Sequence, residues 1–241
     1  MHNGAKMKVI IMAAGKGTRM LPLTENTPKV LIDIDGKPFL YYVIQNLKKA
    51  GFEGIAIIAG YKKEKINEFL DKYAIKAEVI IQDEQLGTGH AVKLARDFAG
   101  NENFVVLGGD NLFSVADLEQ LKKPDYYNYV IGMRHKNPEH YGVLLTDGVF
   151  LKKIVEKPQR FVGDLINIGL YKFTPEIFKA LDQIKLSERG EYELTDAITL
   201  LAEKGQVKVL KLKDYWLDFG CKDDIPHVER FIKLQKKQGK F

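Results

Sequence analysis

Between Ala13 and Lys29 the chain carries Gly15, Gly17, Thr18, Arg19 and Lys29, residue types able to meet an anion, in a stretch broken by Pro22 and Pro28. Spacing excludes two nucleotide-binding patterns. A dinucleotide fingerprint needs a third glycine three residues after Gly17 and a helix opening there, whereas position 20 is Met20 and the two prolines forbid a regular helix. A Walker loop needs Gly-Lys-Ser/Thr at a fixed offset, which is missing. What remains is a long, glycine-opened, proline-shaped loop. The backbone N–H groups of Gly15 and Gly17, with Arg19 and Lys29, can cradle a phosphate there. The same two glycines also fit a plain turn with solvated cations, so the loop by itself leaves both readings open.

Divalent-cation chemistry has two candidates. Magnesium takes oxygen ligands, usually one or two of them protein carboxylates. Asp110 follows Phe104-Val105-Val106-Leu107 and two glycines, which places it at a strand's carboxyl end; Asp218 follows Tyr215-Trp216-Leu217 and precedes Gly220. Either alone is equally a turn aspartate, because Asp and Gly cluster in turns for local reasons. Asp223 and Asp224 read as acids at a helix N-terminus. Gln82 can offer a base edge both a donor and an acceptor, or can simply end a strand. His90, His135 and His140 have no metal-ligand spacing.

The elements that would position these residues are legible from apolar periodicity. Lys8 to Met12, Ile55 to Ala59 and Phe104 to Leu107, with the shorter Val79 to Ile81, read as buried parallel strands. Between them, Phe39, Leu40, Val43, Ile44 and Leu47 line a helix stopped by Gly51; Ile66, Phe69, Leu70 and Tyr73 line the next, and a third follows Thr88. Strands alternating with helices imply right-handed crossovers, helices on both faces, and ligands beyond the strands' carboxyl ends.

After about residue 129 the pattern becomes mixed. Val143 to Thr146 and Val149 to Glu156 flank Asp147-Gly148, a two-residue hairpin signal. Thr174-Pro175-Glu176 reads as a helix N-cap with proline at the first helical position. Leu194 to Lys204 is amphipathic and closed by Gly205, Val207 to Leu212 is a strand, and Asp223 to Lys237 is a helix ending in a solvated, lysine-rich tail. The expectation is one domain over 7–241, in two halves, 7–128 and 129–241. Residues 1–6, ahead of the first strand, are expected to lie outside the domain as an N-terminal extension.

Composition narrows the classes. At 241 residues the chain can bury a substantial core. Cys221 is its only cysteine, which excludes a disulfide scaffold and a paired-cysteine zinc site and fits a reducing compartment, so the cytoplasm is expected. No apolar stretch nears the roughly 18 residues of a membrane span. Lys and Arg number 37 against 32 acidic residues, a net charge of +5 that suits anionic small molecules without calling for nucleic acid.

These residues together resemble a known family. The loop is similar at every signature position to the Gly-x-Gly-Thr-Arg-Met/Leu-x-Pro-x-Thr…Pro-Lys string of the sugar-1-phosphate nucleotidyltransferases. Further blocks follow in family order: Gln82 with Leu86-Gly87-Thr88-Gly89-His90-Ala91, Gly109-Asp110, Tyr141-Gly142, Glu156-Lys157-Pro158, Asn167 with Gly169, Gly190 to Asp196, and Trp216-Leu217-Asp218-x-Gly220. Together they span residues 8 to 220. The resemblance implies an α/β, Rossmann-like nucleotide-diphospho-sugar transferase fold, with a mixed, mostly parallel central sheet and helices on both faces. It implies Mg²⁺ as cofactor, held by Asp110 and Asp218. The nucleotide would lie on Ala14, Gly15, Gly17, Thr18, Gln82, Gly87, Thr88 and Gly109, with Arg19, Lys29 and Lys157 as the catalytic cations. Gly142, Glu156, Asn167 and Thr195 would meet the sugar phosphate.

The implied reaction is NTP plus sugar 1-phosphate giving NDP-sugar plus pyrophosphate. Its nucleophile is a phosphate monoester with a second pKa near ~6, already anionic, so no histidine or cysteine base is required. The Leu86 to Ala91 block most resembles uridylyltransferases acting on glucose 1-phosphate or N-acetylglucosamine 1-phosphate, with thymidylyl transfer from dTTP as the alternative. Two other classes compete. A sugar-nucleotide sensor would not need both metal carboxylates, and a nucleic-acid module would rest on Lys233, Lys236, Lys237 and Lys240 alone. The expected partners are therefore small molecules, with neither nucleic acid nor membrane, and a homo-oligomer is compatible with the sequence. Many N-acetylglucosamine relatives add a hexapeptide-repeat acetyltransferase; no such period occurs here, and the pyrophosphorylase half alone is expected.

Overall fold

The structure, a computed structural model, describes residues 7–241, and the expected extension over 1–6 lies outside them. The first apolar run forms β1 (Lys8–Ala13). The loop after it contains only two short 3-10 turns, Thr18–Met20 and Lys29–Leu31, consistent with its prolines. A small hairpin of β2 (Asp33–Ile34) and β3 (Lys37–Pro38) leads into α1 (Phe39–Lys49). The chain then alternates through β4 (Gly54–Ala59), α2 (Lys63–Lys72), β5 (Glu78–Ile81), α3 (Thr88–Leu94), α4 (Arg96–Ala99) and β6 (Phe104–Gly108). Beyond lie β7 (Asn111–Phe113), α5 (Val115–Glu119), β8 (Asn128–Arg134), β9 (Gly142–Asp147), β10 (Phe150–Glu156) and β11 (Leu165–Phe173). The last elements are α6 (Glu176–Leu181), α7 (Leu194–Glu203), β12 (Val207–Lys211), β13 (Trp216–Asp218) and α8 (Ile225–Lys237).

Nine strands make one sheet in the order β5-β4-β1-β6-β11-β8-β12-β10-β9, and β9 also meets β11. Only β10 and β11 run against the rest, leaving 9 − 2 = 7 strands in a common direction, so the sheet is mixed and mostly parallel. Alternation along the buried strands divides the core between the two faces. Val9, Ile11, Ile57 and Leu107 pack with Phe39, Leu47, Phe69 and Ile232 from α1, α2 and α8. Ile10, Ile58, Phe104 and Val106 pack with Val92, Phe178 and Ile198 from α3, α6 and α7. Each such fully buried aliphatic or aromatic side chain contributes roughly 1.5–3 kcal/mol. Among the described residues, no helix is long and apolar enough to cross a membrane.

Two pairings set the geometry of the cleft. β11 enters antiparallel beside β6 with Leu170 opposite Leu107, so Asn167 is carried past the carboxyl end of β6. The β9–β10 hairpin roots on β11 through Val143 opposite Ile166, bringing Gly142 and Glu156 to the same end.

Three local expectations are corrected. The hairpin turn is Gly148-Val149, one residue later than Asp147-Gly148, because Asp147 still pairs with Phe150. A bulge between Leu151 and Lys153 lets Leu151 and Ile154, three residues apart, share the buried face. Thr174 does not cap α6 with its hydroxyl; its N–H and Oγ1 both donate to Asn128 Oδ1, at 2.9 and 3.3 Å. The C-terminal lysines are not all solvated. Lys236 pairs with Asp35 at 2.7 Å, Lys233 lies 3.6 Å from the same carboxylate, and Phe241 sits edge-on to Tyr42.

Asp117, fully buried in α5, is the clamp that fixes β13. Its carboxylate accepts from Ser114 Oγ (2.5 Å), Gln120 Nε2 (3.0 Å) and the N–H groups of Lys213 (2.6 Å) and Asp214 (3.1 Å). Asp117→Ala strands these donors and is expected to cost about 3 kcal/mol in urea unfolding. A loss below about 1 kcal/mol would show that the clamp is dispensable.

Candidate active site

Beyond the carboxyl ends of β1 and β6 opens a cavity of about 470 Å³, joined at Met12, Gly15 and Asp110 to a smaller one of about 280 Å³ over the glycine-rich loop. Gly15, Gly17, Thr18, Arg19, Lys29 and Asp110 line the smaller space. Ala14, Gln82, Gly87 and Thr88 line one wall of the larger, and Glu156, Asn167 and Thr195 line the other. Gly109 stands behind the rim, donating its N–H to Met12 O at 2.8 Å, and it is Gly108 that reaches the cavity wall.

The loop's shape depends on Gly17. Its φ is +64°, and a Cβ there would stand 2.9 Å from Lys29 Cβ and 3.0 Å from Thr24 Cγ2. Thr24, buried, donates its hydroxyl to Gly17 O at 2.9 Å and so ties the two ends of the loop together. Arg19 is exposed and makes no hydrogen bond or ion pair among the described residues, whereas Lys29 Nζ is bonded to Asp110 Oδ2.

Strand pairing brings the two aspartates together. β13 runs antiparallel to β7 with Asp218 opposite Asn111, and Phe219 N–H donates to Asp110 O at 2.9 Å. Burial among the surrounding chain and the charge of Asp110 push Asp218 up to about 6, against the opposing pull of Lys29 and Arg19. Asp110 Oδ1 accepts from Asn111 Nδ2 at 2.8 Å, and Asn111 Oδ1 in turn accepts from Trp216 Nε1 at 2.6 Å, which fixes the carboxylate's plane. Asp224 acts as a helix-end acid, its Oδ2 accepting from the N–H groups of Gly220 and Cys221 just past Asp218.

Two hard oxygen donors that repel each other fit a magnesium ion. Among the described residues no group of three or more His, Cys, Asp or Glu forms a fuller ligand set. The fit is therefore to a two-carboxylate site completed by substrate oxygens and water.

In one wall of the larger cavity Gln82 is buried, with Nε2 3.1 Å from Gly87 O and 3.0 Å from His90 Nδ1. Gly87 has φ +97°, and a Cβ on it would fall 2.7 Å from Tyr192 O. The α3 and α7 segments are joined here by two backbone bonds, Gly89 N–H to Tyr192 O (2.7 Å) and Tyr192 N–H to Leu86 O (2.8 Å), and by Leu194 N–H donating to the Thr88 hydroxyl (3.2 Å). Sequence reading missed Gln85, whose Nε2 donates to Ala14 O at 2.7 Å while its side chain lines the cavity.

Opposite, Asn167 donates from Nδ2 to Tyr171 Oη at 2.7 Å and accepts at Oδ1 from Gly169 N–H at 3.1 Å. The cleft walls crowd the Glu156 carboxyl and raise its pKa, while a hydrogen bond from Thr195 and the charges of Arg189 and Lys157 act the other way. Gly142 lies across the ladder from Glu156. Lys157 follows with φ +41°, a left-handed conformation that costs a non-glycine residue about 1–2 kcal/mol. It is exposed, its only hydrogen bond among the described residues runs from its N–H to Tyr141 O, and its ammonium makes no ion pair there. Asn111, Tyr171, Glu191 and Glu193 also line the cavity and went unassigned from sequence. The two glutamates lie inside the Gly190 to Asp196 block; nothing in the sequence pattern marks the other two.

Comparison with known proteins identifies the family. Residues 8–235 match the family model described as nucleotidyl transferase. A bifunctional protein GlmU of Methanocaldococcus jannaschii is 42% identical over 228 residues, 94% of this chain and 54% of the relative. A bifunctional sugar-1-phosphate nucleotidylyltransferase/acetyltransferase of Sulfurisphaera tokodaii is 39% identical over 231 residues, 93% of this chain and 55% of the relative. The chain spans about half the length of these curated relatives. The crystal structure of a UDP-glucose pyrophosphorylase complexed with UDP-glucose superposes with a TM-score of 0.85 at 27% identity, covering 95% of this chain and 99% of that one.

Proposed function

Because this chain belongs to the nucleotidyl transferase family, we propose that it transfers the uridylyl group of UTP to a hexose 1-phosphate, releasing pyrophosphate and forming a UDP-sugar. The hexose is glucose 1-phosphate or N-acetylglucosamine 1-phosphate. One observation carries the reading: two exposed cations without ion pairs among the described residues, Arg19 on the smaller cavity and Lys157 next to the Glu156 that lines the larger, flank two spaces that meet at Asp110, with Asp218 close enough to feel its charge. Two polyanions brought face to face need that arrangement, since their mutual repulsion is the main obstacle to reaction.

In the proposed reaction an oxygen of the sugar phosphate attacks the α-phosphorus of UTP in line. The new O–P bond forms as the bond to the bridging oxygen of the β-phosphate breaks, and pyrophosphate leaves with the electron pair. Arg19 and Lys29 hold the triphosphate over the N–H groups of the loop, and Lys157 holds the sugar phosphate. Gln82 and the backbone at Gly87 and Thr88 meet the base. Glu156, Asn167, Gly142 and Thr195 orient the hexose. Asp110 and Asp218 would hold Mg²⁺, which supplies charge neutralisation when bound. The sugar phosphate is a dianion above pH ~6, so the chain need supply no general base.

The test is a panel of UTP, dTTP, CTP, ATP and GTP crossed with hexose 1-phosphates and scored for pyrophosphate release. UTP with glucose 1-phosphate or its N-acetylglucosamine counterpart is expected to give the highest kcat/KM. Thymine differs from uracil by one methyl, worth only ~1–3 kcal/mol, so dTTP should rank second. First rank for a purine triphosphate would overturn the proposal.

A further inference from the structure

The amide of Gln82 is already committed on one side. Its Nε2 donates to Gly87 O at 3.1 Å and lies 3.0 Å from His90 Nδ1. An amide –NH₂ only donates, so His90 Nδ1 accepts and carries no proton. Both hydrogens of Gln82 are thereby used, and a flipped amide would set Oε1 against the Gly87 carbonyl oxygen, acceptor against acceptor. Gln82 Oε1 is left as the polar atom available to the main cavity, since nothing among the described residues donates to it.

We propose that His90 is a positioning residue that fixes Gln82 as an acceptor, making the site select a pyrimidine with a protonated ring N3, uracil or thymine, and reject cytosine. Cytosine presents an unprotonated N3 to the same point, so acceptor would face acceptor. This rests on the nucleotidyl-transfer reading above. His90 stands at the third position of α3, in the wall between the main cavity and a neighbouring one of about 710 Å³. The charged groups lining that second space are Lys93, Arg96, Asp97 and Asp182; Lys93 and Arg96 are both paired with Asp182, at 2.9 and 2.7 Å. The Gly87 carbonyl restrains one amide hydrogen, but it also accepts from Ala91 N–H at 3.2 Å. The second hydrogen depends on His90 alone.

The experiment compares UTP with CTP in the full chain and in His90→Leu and His90→Asn. The wild type should favour UTP. His90→Leu should lose about ten- to a hundredfold of that kcat/KM ratio, carried mainly by a higher KM for UTP, as expected where a hydrogen-bonding site loses its order. His90→Asn can place Oδ1 where Nδ1 stood and should restore most of the ratio. In parallel, nitrogen-15 NMR of the wild-type protein should show His90 with a pyridine-type Nδ1 and a pyrrole-type Nε2, a readout that needs no variant to fold. A wild type that prefers CTP or a purine triphosphate overturns the nucleobase reading and this proposal together. A wild type that prefers UTP overturns the positioning role alone if its His90 Nδ1 is protonated, or if folded His90→Leu keeps the full ratio.

Discussion

Asp110→Asn and Asp218→Asn are each expected to lower kcat by about 10²- to 10³-fold, the usual loss when charge stabilisation at the reacting groups is removed. Asp110 lies where the two cavities meet, and the β7–β13 ladder brings Asp218 beside it by pairing Asp218 with Asn111; in the proposed reaction this is where negative charge must be neutralised before two phosphates can approach. Excess chelator should abolish turnover of the wild type in the same way. The variants separate this role from a structural one. Asp218 is held at a pKa of about 6 because burial and Asp110 disfavour its charge. Neutralising it should therefore leave the melting temperature of the metal-free protein unchanged or higher. Asp110→Asn frees Lys29 from its ion pair and should disturb nucleotide binding as well. Near-wild-type turnover in either variant, or full activity with chelator present, would show the metal site to be misassigned.

Arg19→Ala should raise KM for the nucleoside triphosphate, and Lys157→Ala should raise KM for the sugar phosphate, each by about ten- to a hundredfold. That range corresponds to one charge-assisted hydrogen bond of roughly 1.5–3 kcal/mol. The separation follows from position. Arg19 lies on the loop that lines the smaller cavity, while Lys157 follows directly on Glu156, whose carboxyl its charge reaches. Both ammonium and guanidinium are free of ion pairs among the described residues, so truncation removes an anion's partner without stranding a carboxylate of the protein. Initial rates with one substrate saturating and the other varied read the two constants apart. A Lys157→Ala variant altered only in its nucleotide KM would reverse the assignment of the two anion sites.

How much of this could be read before any fold was in hand depends on the range of the interaction. Val9, Ile11, Ile57 and Leu107 announce themselves as short β-branched runs, and the loop after β1 declares by Pro22 and Pro28 that it is no helix. Asp110 is legible because a strand's carboxyl end is a local feature. The β9–β10 turn slid by one residue because the bulge at Leu151 to Lys153, set by packing against the core, outweighed the local Asp147-Gly148 signal. Thr174 has the right chemistry for a cap, yet Asn128, 46 residues away, takes its hydroxyl. Gln85 bonding Ala14 and Trp216 bonding Asn111 are separated by 71 and 105 residues, so neither contact leaves a pattern in the sequence. The resemblance to a family supplied Asp218, Lys157 and Asn167, which spacing alone would have left as turn or strand residues.

The most direct test follows the phosphorus atoms. With glucose 1-phosphate or N-acetylglucosamine 1-phosphate as acceptor, UTP labelled at the α-phosphorus should pass its label entirely into the UDP-sugar. UTP labelled at the γ-phosphorus should release it entirely as pyrophosphate. Label from the γ position in a sugar product, or released as inorganic phosphate, would mean that attack falls on a different phosphorus and would contradict nucleotidyl transfer at this site.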